Sequence, residues 1–160
     1  MKSPIDACHH VAIVVRDASA ARAFYGELLG LEELERPADV AGRFAGAWYR
    51  IGALELHVFE QPDYRPPSAA VGPHIALHTA DFDGAIARLS AHGCAFAFGP
   101  GRGPDGVARA ILRDPTGNVV ELTDAALRSC LCRGPPSLAF GSLRVGRLGR
   151  PPCRGQRDLG

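Results

Sequence analysis

Bulky apolar residues alternate with small or polar ones in His10-Val11-Ala12-Ile13-Val14-Val15, and the alternation returns 64 positions later in His74-Ile75-Ala76-Leu77-His78. Each run opens on His and carries Ala two places on. Each is followed by an Asp (Asp17, Asp81) and an Ala-rich stretch. Matching passages of this kind signal an internal duplication. The short β-branched run ending at Arg16-Asp17 predicts a strand. Ala21, Phe24, Tyr25, Leu28 and Leu29 recur at three- and four-residue spacing. They predict a helix over Ser19–Leu29, capped by Asp17 or Ser19 and ended by Gly30. A short strand near 31–35 and a loop at 37–42 follow. Strands over 43–51 and 53–60 then meet at Gly52, and the proline-bearing stretch 61–72 predicts a linker. The second copy repeats the order. It has a strand at 74–79, a helix at 83–92 ended by Gly93, a short strand at 95–98 and a Gly/Pro loop at 99–106. A hairpin of 107–113 and 118–123 turns at Asp114-Pro115-Thr116-Gly117. Both halves, about 7–60 and 72–124, read β-α-β-β-β, so the fold class expected is α+β with two tandem βαβββ modules.

Strand parity assigns side chains to faces, because successive residues of a strand point to opposite sides. Val11, Ile13 and Val15 go under the helix, as do Leu54, Leu56, Val58, Ile75, Leu77, Val120 and Leu122. The same rule turns His10, Glu55, His74 and Glu121 to the face away from the helices. His57, Phe59 and His78 share that face and are candidates to support the donors or to touch a substrate. Two imidazoles with one or two carboxylates make a donor set for Zn²⁺, Ni²⁺, Fe²⁺, Mn²⁺ or Co²⁺. Without an ion, carboxylates in a cupped sheet face are costly or take up protons.

Composition sharpens the domain picture. The chain is 46% hydrophobic and 22% charged, ordinary for a globular protein. Residues 1–125 hold 11 Lys/Arg against 16 Asp/Glu, whereas 126–160 hold 7 Arg against a single Asp. The reading is one domain over 1–125 and an Arg/Gly/Pro-rich tail over 126–160 without helical or strand period, expected to be disordered. An RNA-binding arm is set below a non-functional extension, so no nucleic-acid partner is expected. Five Cys, none in a C-x-x-C pair, and no secretory signal pattern point to reduced thiols and a cytoplasmic protein. No stretch reaches the length of a membrane helix. Gly101-Arg102-Gly103-Pro104-Asp105-Gly106 fits G-x-G-x-x-G, but a strand rather than a helix is expected after it. A loop at the cavity mouth is therefore preferred to a dinucleotide site.

Five passages carry a family resemblance. They are His10-Val-Ala-Ile-Val-Val-Arg-Asp17, Ala23-Phe24-Tyr25 to Leu29-Gly30, Leu54-Glu55-Leu56, Gly72-Pro-His74-Ile-Ala-Leu77 and Asp114-Pro-Thr-Gly-Asn-Val-Val-Glu121-Leu122. Over about residues 7–124 the chain resembles the vicinal oxygen chelate (VOC) superfamily of glyoxalases, bleomycin-resistance proteins and dioxygenases. The resemblance implies two βαβββ modules whose sheets curl round one divalent ion held by His10, Glu55, His74 and Glu121. It implies a glyoxalase-like lyase or isomerase, with Glu121 or Glu55 moving a proton next to a carbonyl. In glutathione-dependent members an Arg and an Asn contact the tripeptide. Those positions are Val14 and Phe59 here, which turns the expectation from lactoylglutathione to a smaller, more apolar carbonyl compound near Phe59, Trp48 and Tyr49. A metal-free drug- or metabolite-binding protein of the bleomycin-resistance kind is the alternative, with a dioxygenase behind it. Members of the family often pair, some with a site shared between subunits, so a homodimer is possible.

Overall fold

The computed structural model describes residues 3–5, 7–68 and 72–127. The tail expected to be disordered lies, from 128 on, outside the described residues, as do Cys130, Cys132 and Cys153. A compact unit runs from Met1 to Leu127. Its order is β1 (His10–Val15), α1 (Ala18–Ala21) continued by a π-helix (Arg22–Leu28), β2 (Glu33–Leu34), α2 (Ala38–Ala41), β3 (Gly46–Ile51) and β4 (Leu54–Glu60). The second half has β5 (His74–His78), α3 (Phe82–Ala91), β6 (Phe96–Arg102), β7 (Ala108–Arg113) and β8 (Val119–Thr123). Two four-stranded mixed sheets result, ordered β1-β4-β3-β2 and β5-β8-β7-β6. In each, the first and last strands of the module pair parallel and the others antiparallel. This is the duplicated α+β architecture that the sequence predicts.

Local chemistry explains the elements. Asp17 caps α1 by accepting from the N–H groups of Ser19 and Ala20 at 2.7 and 3.0 Å, and Asp81 caps α3 through Gly84 N–H at 3.0 Å. Gly30 and Gly93 stop the two helices in the left-handed region, at φ 73° and 74°. The first helix departs from expectation. After one α-turn it widens, with Leu29 N–H donating to Phe24 C=O at 2.9 Å. Neighbouring Phe24 and Tyr25 are both buried there. Such π-turns are rare and usually short insertions in an α-helix. Two smaller differences lie in loops: 37–42 contains the helical turn α2, and β6 extends through Gly99–Arg102.

One hydrophobic cluster serves both halves, joining Val15, Tyr25, Leu56 and Val58 to Leu77, Leu89, Leu112 and Val120. The turn between β7 and β8 ties the halves by polar contacts. Asp114 Oδ1 accepts from the N–H groups of Thr116, Gly117 and Asn118 at 2.8 to 2.9 Å, while its Oδ2 accepts from Tyr25 Oη and Asn118 Nδ2, both at 2.9 Å. Asn118 Nδ2 also donates to Val14 C=O at 2.9 Å, and Arg16 N–H donates to Thr116 Oγ1 at 2.9 Å. Burial, then the charge of Asp114, pushes the Tyr25 hydroxyl far above its ordinary range, so it stays a neutral donor. No helix among the described residues is long and apolar enough to cross a membrane.

Tyr25→Phe leaves the ring packed and removes one buried hydrogen bond. It is expected to cost about 1–3 kcal/mol, read as a lower urea midpoint at unchanged m value. An unchanged midpoint contradicts the tie between the halves.

Candidate functional site

The helix-free face of the first sheet is built from cross-strand rows. His10 lies opposite Glu55, and Glu55 opposite Arg50. Ala12, His57 and Trp48 form the next row, and Val14, Phe59 and Gly46 the third. His57 is buried between two flat neighbours, with Trp48 stacked at 3.7 Å between ring centroids and His10 at 4.2 Å. Its Nε2 lies 2.8 Å from Glu55 Oε2. That hydrogen bond is the main reason the Glu55 carboxyl is held below its usual range. Phe59 stands edge-on to His57 at 6.4 Å and to Phe44 at 5.9 Å. Tyr49, expected among the aromatics of this face, is instead fully buried on the helix side. It is one residue from Trp48 and takes the opposite parity.

On the second sheet His74, Ala76 and His78 line the edge strand, with Val119, Glu121 and Thr123 opposite them and Arg113, Ile111 and Arg109 beyond. His74 Nε2 lies 3.5 Å from Glu121 Oε2, and His74 Nδ1 lies 2.8 Å from Gly72 C=O. Arg109 Nε lies 4.0 Å from Glu121 Oε1, and its Nη2 donates to Asp105 Oδ2 at 2.7 Å. His78 is exposed at the end of β5, two strands from Arg109.

The expected residues therefore assemble as two pairs, His10 with Glu55 and His74 with Glu121. Among the described residues no group of three His, Cys, Asp or Glu side chains lies close enough to hold an ion. The four donors do not gather at one spot within the described chain, and the two pairs belong to different sheets. The halves also differ in register. Glu55 lies opposite His10, but Glu121 lies opposite Ala76, one row further along. The residue of the first half equivalent to Glu121 is His57. A cleft of about 500 Å³ lies beside the donors rather than over them. It runs between the edge strands β1 and β5, is lined mainly by their apolar residues with Leu54, Pro66 and Pro67, and reaches the donors at His74.

The sequence reading passed over Arg109 and Asp105. Parity applied to β7 would have found Arg109, since Arg109, Ile111 and Arg113 alternate as Glu121 and its neighbours do. The Gly101–Gly106 stretch is part strand and part turn and leads into β7, which removes the dinucleotide reading.

Comparison with known proteins gives one consistent answer. The model of the Glyoxalase/Bleomycin resistance protein/Dioxygenase superfamily matches residues 7–122. The uncharacterized protein YaeR of Escherichia coli (strain K12) is 34% identical over 89 residues, covering 52% of this chain and 69% of YaeR. A provisionally assigned glyoxalase family protein from Bacillus anthracis superposes with a TM-score of 0.66 at 30% identity, covering 77% of this chain and 98% of its own. A lactoylglutathione lyase from Agrobacterium tumefaciens gives 0.57 at 27% identity, covering 76% and 95%.

Two outcomes test this geometry. Trp48 is the single Trp of the sequence. His57→Ala opens one face of its indole to water, so its emission moves to the red; an unchanged spectrum contradicts the stack. Asp105 is held down to about 2, first by its hydrogen bond to Arg109. A carboxylate NMR titration is expected to find that midpoint, and Arg109→Met to return it toward the ordinary ~3.9. Because the folded pKa is depressed, the pair's contribution to stability is complete above the ordinary value and fades as pH falls through about 2.

Proposed function

The chain belongs to the Glyoxalase/Bleomycin resistance protein/Dioxygenase superfamily, and from that premise we propose that it is a metal-dependent, glyoxalase-like lyase or isomerase acting on a small carbonyl compound. The observation that carries this reading is the chemistry of the donors on the helix-free faces. Two imidazoles and two carboxylates, His10 with Glu55 and His74 with Glu121, fit one Zn, Ni, Fe, Mn or Co ion. Such an ion, when bound, supplies Lewis acidity to the substrate oxygens.

The remaining work falls to the chain's own groups. Glu55 takes the proton from the carbon beside the carbonyl and returns it. Its hydrogen bond to His57 holds the carboxylate ionised and oriented, at a cost in basicity, since it keeps the carboxyl below its usual range. Glu121 is the other candidate for that role, with His74 Nε2 at 3.5 Å and Arg109 Nε at 4.0 Å from its two oxygens. His57, clamped by Trp48, orients Glu55. Phe59 and His78 bound the substrate. Val14 and Phe59 offer no polar contact to a glutathione tripeptide, which favours a smaller substrate.

The reading requires the two donor pairs to meet. Edge strands β1 and β5, with the apolar cleft between them, support a homodimer in which the first-half pair of one subunit faces the second-half pair of the other.

Metal analysis after dialysis tests both parts. The wild-type chain is expected to retain about one ion per chain and His10→Ala or His74→Ala alone none. An equimolar mixture, unfolded and refolded together, regains about a quarter of the sites, since half the dimers are mixed and each holds one intact site. Recovery of none in the mixture contradicts the shared site. No ion in the wild-type chain contradicts the metal reading and leaves a metal-free binding protein.

A further inference from the structure

The second sheet carries a guanidinium on the face it shares with the proposed donors. Cross-strand pairing puts Gly101, Arg109, Thr123 and His78 in one row, beside the row that holds Glu121. Glu121 divides its oxygens between two neighbours, Oε2 at 3.5 Å from His74 Nε2 and Oε1 at 4.0 Å from Arg109 Nε. Arg109 is thus one carboxylate's width from a proposed metal donor.

The outer edge of the Arg109 fork is already filled by a carboxylate. Nη2 donates to Asp105 Oδ2 at 2.7 Å and Nη1 to Asp105 Oδ1 at 3.1 Å. Two parallel N–H···O bonds are how a guanidinium recognises a planar carboxylate. Asp105 rides on a tight turn closed by Gly106 N–H donating to Gly103 C=O at 2.9 Å. A Cβ on Gly103 would fall 2.8 Å from Asp105 Oδ1 and 3.2 Å from Arg109 Nη1, so the turn folds close over the pair. Side-chain exposures of 37% for Arg109 and 52% for Asp105 leave the pair open to solvent, where an ion pair is weak and easily exchanged.

We propose that Arg109 is a specificity-determining residue that binds a carboxylate of the substrate, and that Asp105 is an internal stand-in which the substrate displaces. The inference rests on the metal reading for the chemistry. It narrows the substrate to a small carbonyl compound with a carboxylate separate from its chelating oxygens. Arg109 fixes that end and Asp105 keeps the fork formed until it is filled.

The test titrates the full ¹⁵N-labelled chain with 4-oxopentanoate and with its methyl ester. The acid is expected to shift the Arg109 Nε–H resonance and the ester to leave it in place. Arg109→Met weakens acid binding, read from backbone amide shifts, by at least ~10-fold. Asp105→Asn tightens it several-fold, because a competitor has been removed. Equal binding of acid and ester overturns the inference. So does weaker binding by Asp105→Asn, the result expected if Asp105 only braced Arg109. Metal content of the same samples separates the two readings. Loss of acid selectivity with the ion retained overturns this inference alone. Selectivity without an ion upholds the anion site and overturns the metal reading.

Discussion

Each sheet has one face committed to a single shared core, and this constraint governs the rest. Val15, Leu56, Val58 and Val120 are each at most 1% exposed. Their neighbours of opposite parity must face away from the helices. A slip of one residue in β1, β4, β5 or β8 would drive an imidazole or a carboxylate into that core. The packing that stabilises the fold therefore also aims the donors. His10, Glu55, His74 and Glu121 need no separate device to turn them outward. What refines their position is local: the Trp48–His57–His10 stack on one sheet and the His74–Glu121–Arg109 series on the other.

The Asp114–Asn118 turn does a different job. Asp114 gathers three backbone N–H groups of its own turn, then reaches the first half through Tyr25, while Asn118 reaches Val14 C=O. A buried carboxylate is tolerated only where hydrogen bonds compensate it, and here they do. In sequence this motif reads as a hairpin turn leading into Glu121. In the structure it holds the second half against the first helix and the end of β1.

Much of this was legible because strand alternation is local. The eight strands, the cap at Asp17 and the faces of His10, His57, His74 and Glu121 all follow from neighbours along the chain, whereas the cap at Asp81 was not read. The widened segment at Arg22–Leu28 did not, since its apolar residues still recur at the three- and four-residue spacing of an ordinary helix. The register offset was hidden too. Parity is the same whether Glu121 faces His74 or Ala76, and only the pairing of β5 with β8 decides it. Tyr49 was misassigned for want of the same rule, being one step from Trp48. Arg109 escaped because β7 holds no His or Glu to draw attention to its free face. Whether the two donor pairs meet is set by contacts between sheets, and no pattern along one strand encodes that.

The central claim is that the two pairs close on a single ion through imidazole and carboxylate alone. X-ray absorption at the metal edge of the nickel- or zinc-loaded full-length protein addresses it most directly. The expected result is a shell of nitrogen and oxygen at about 2.0–2.2 Å with the multiple scattering of two imidazoles and no sulfur. A shell containing sulfur, or scattering from fewer than two imidazoles, would contradict it.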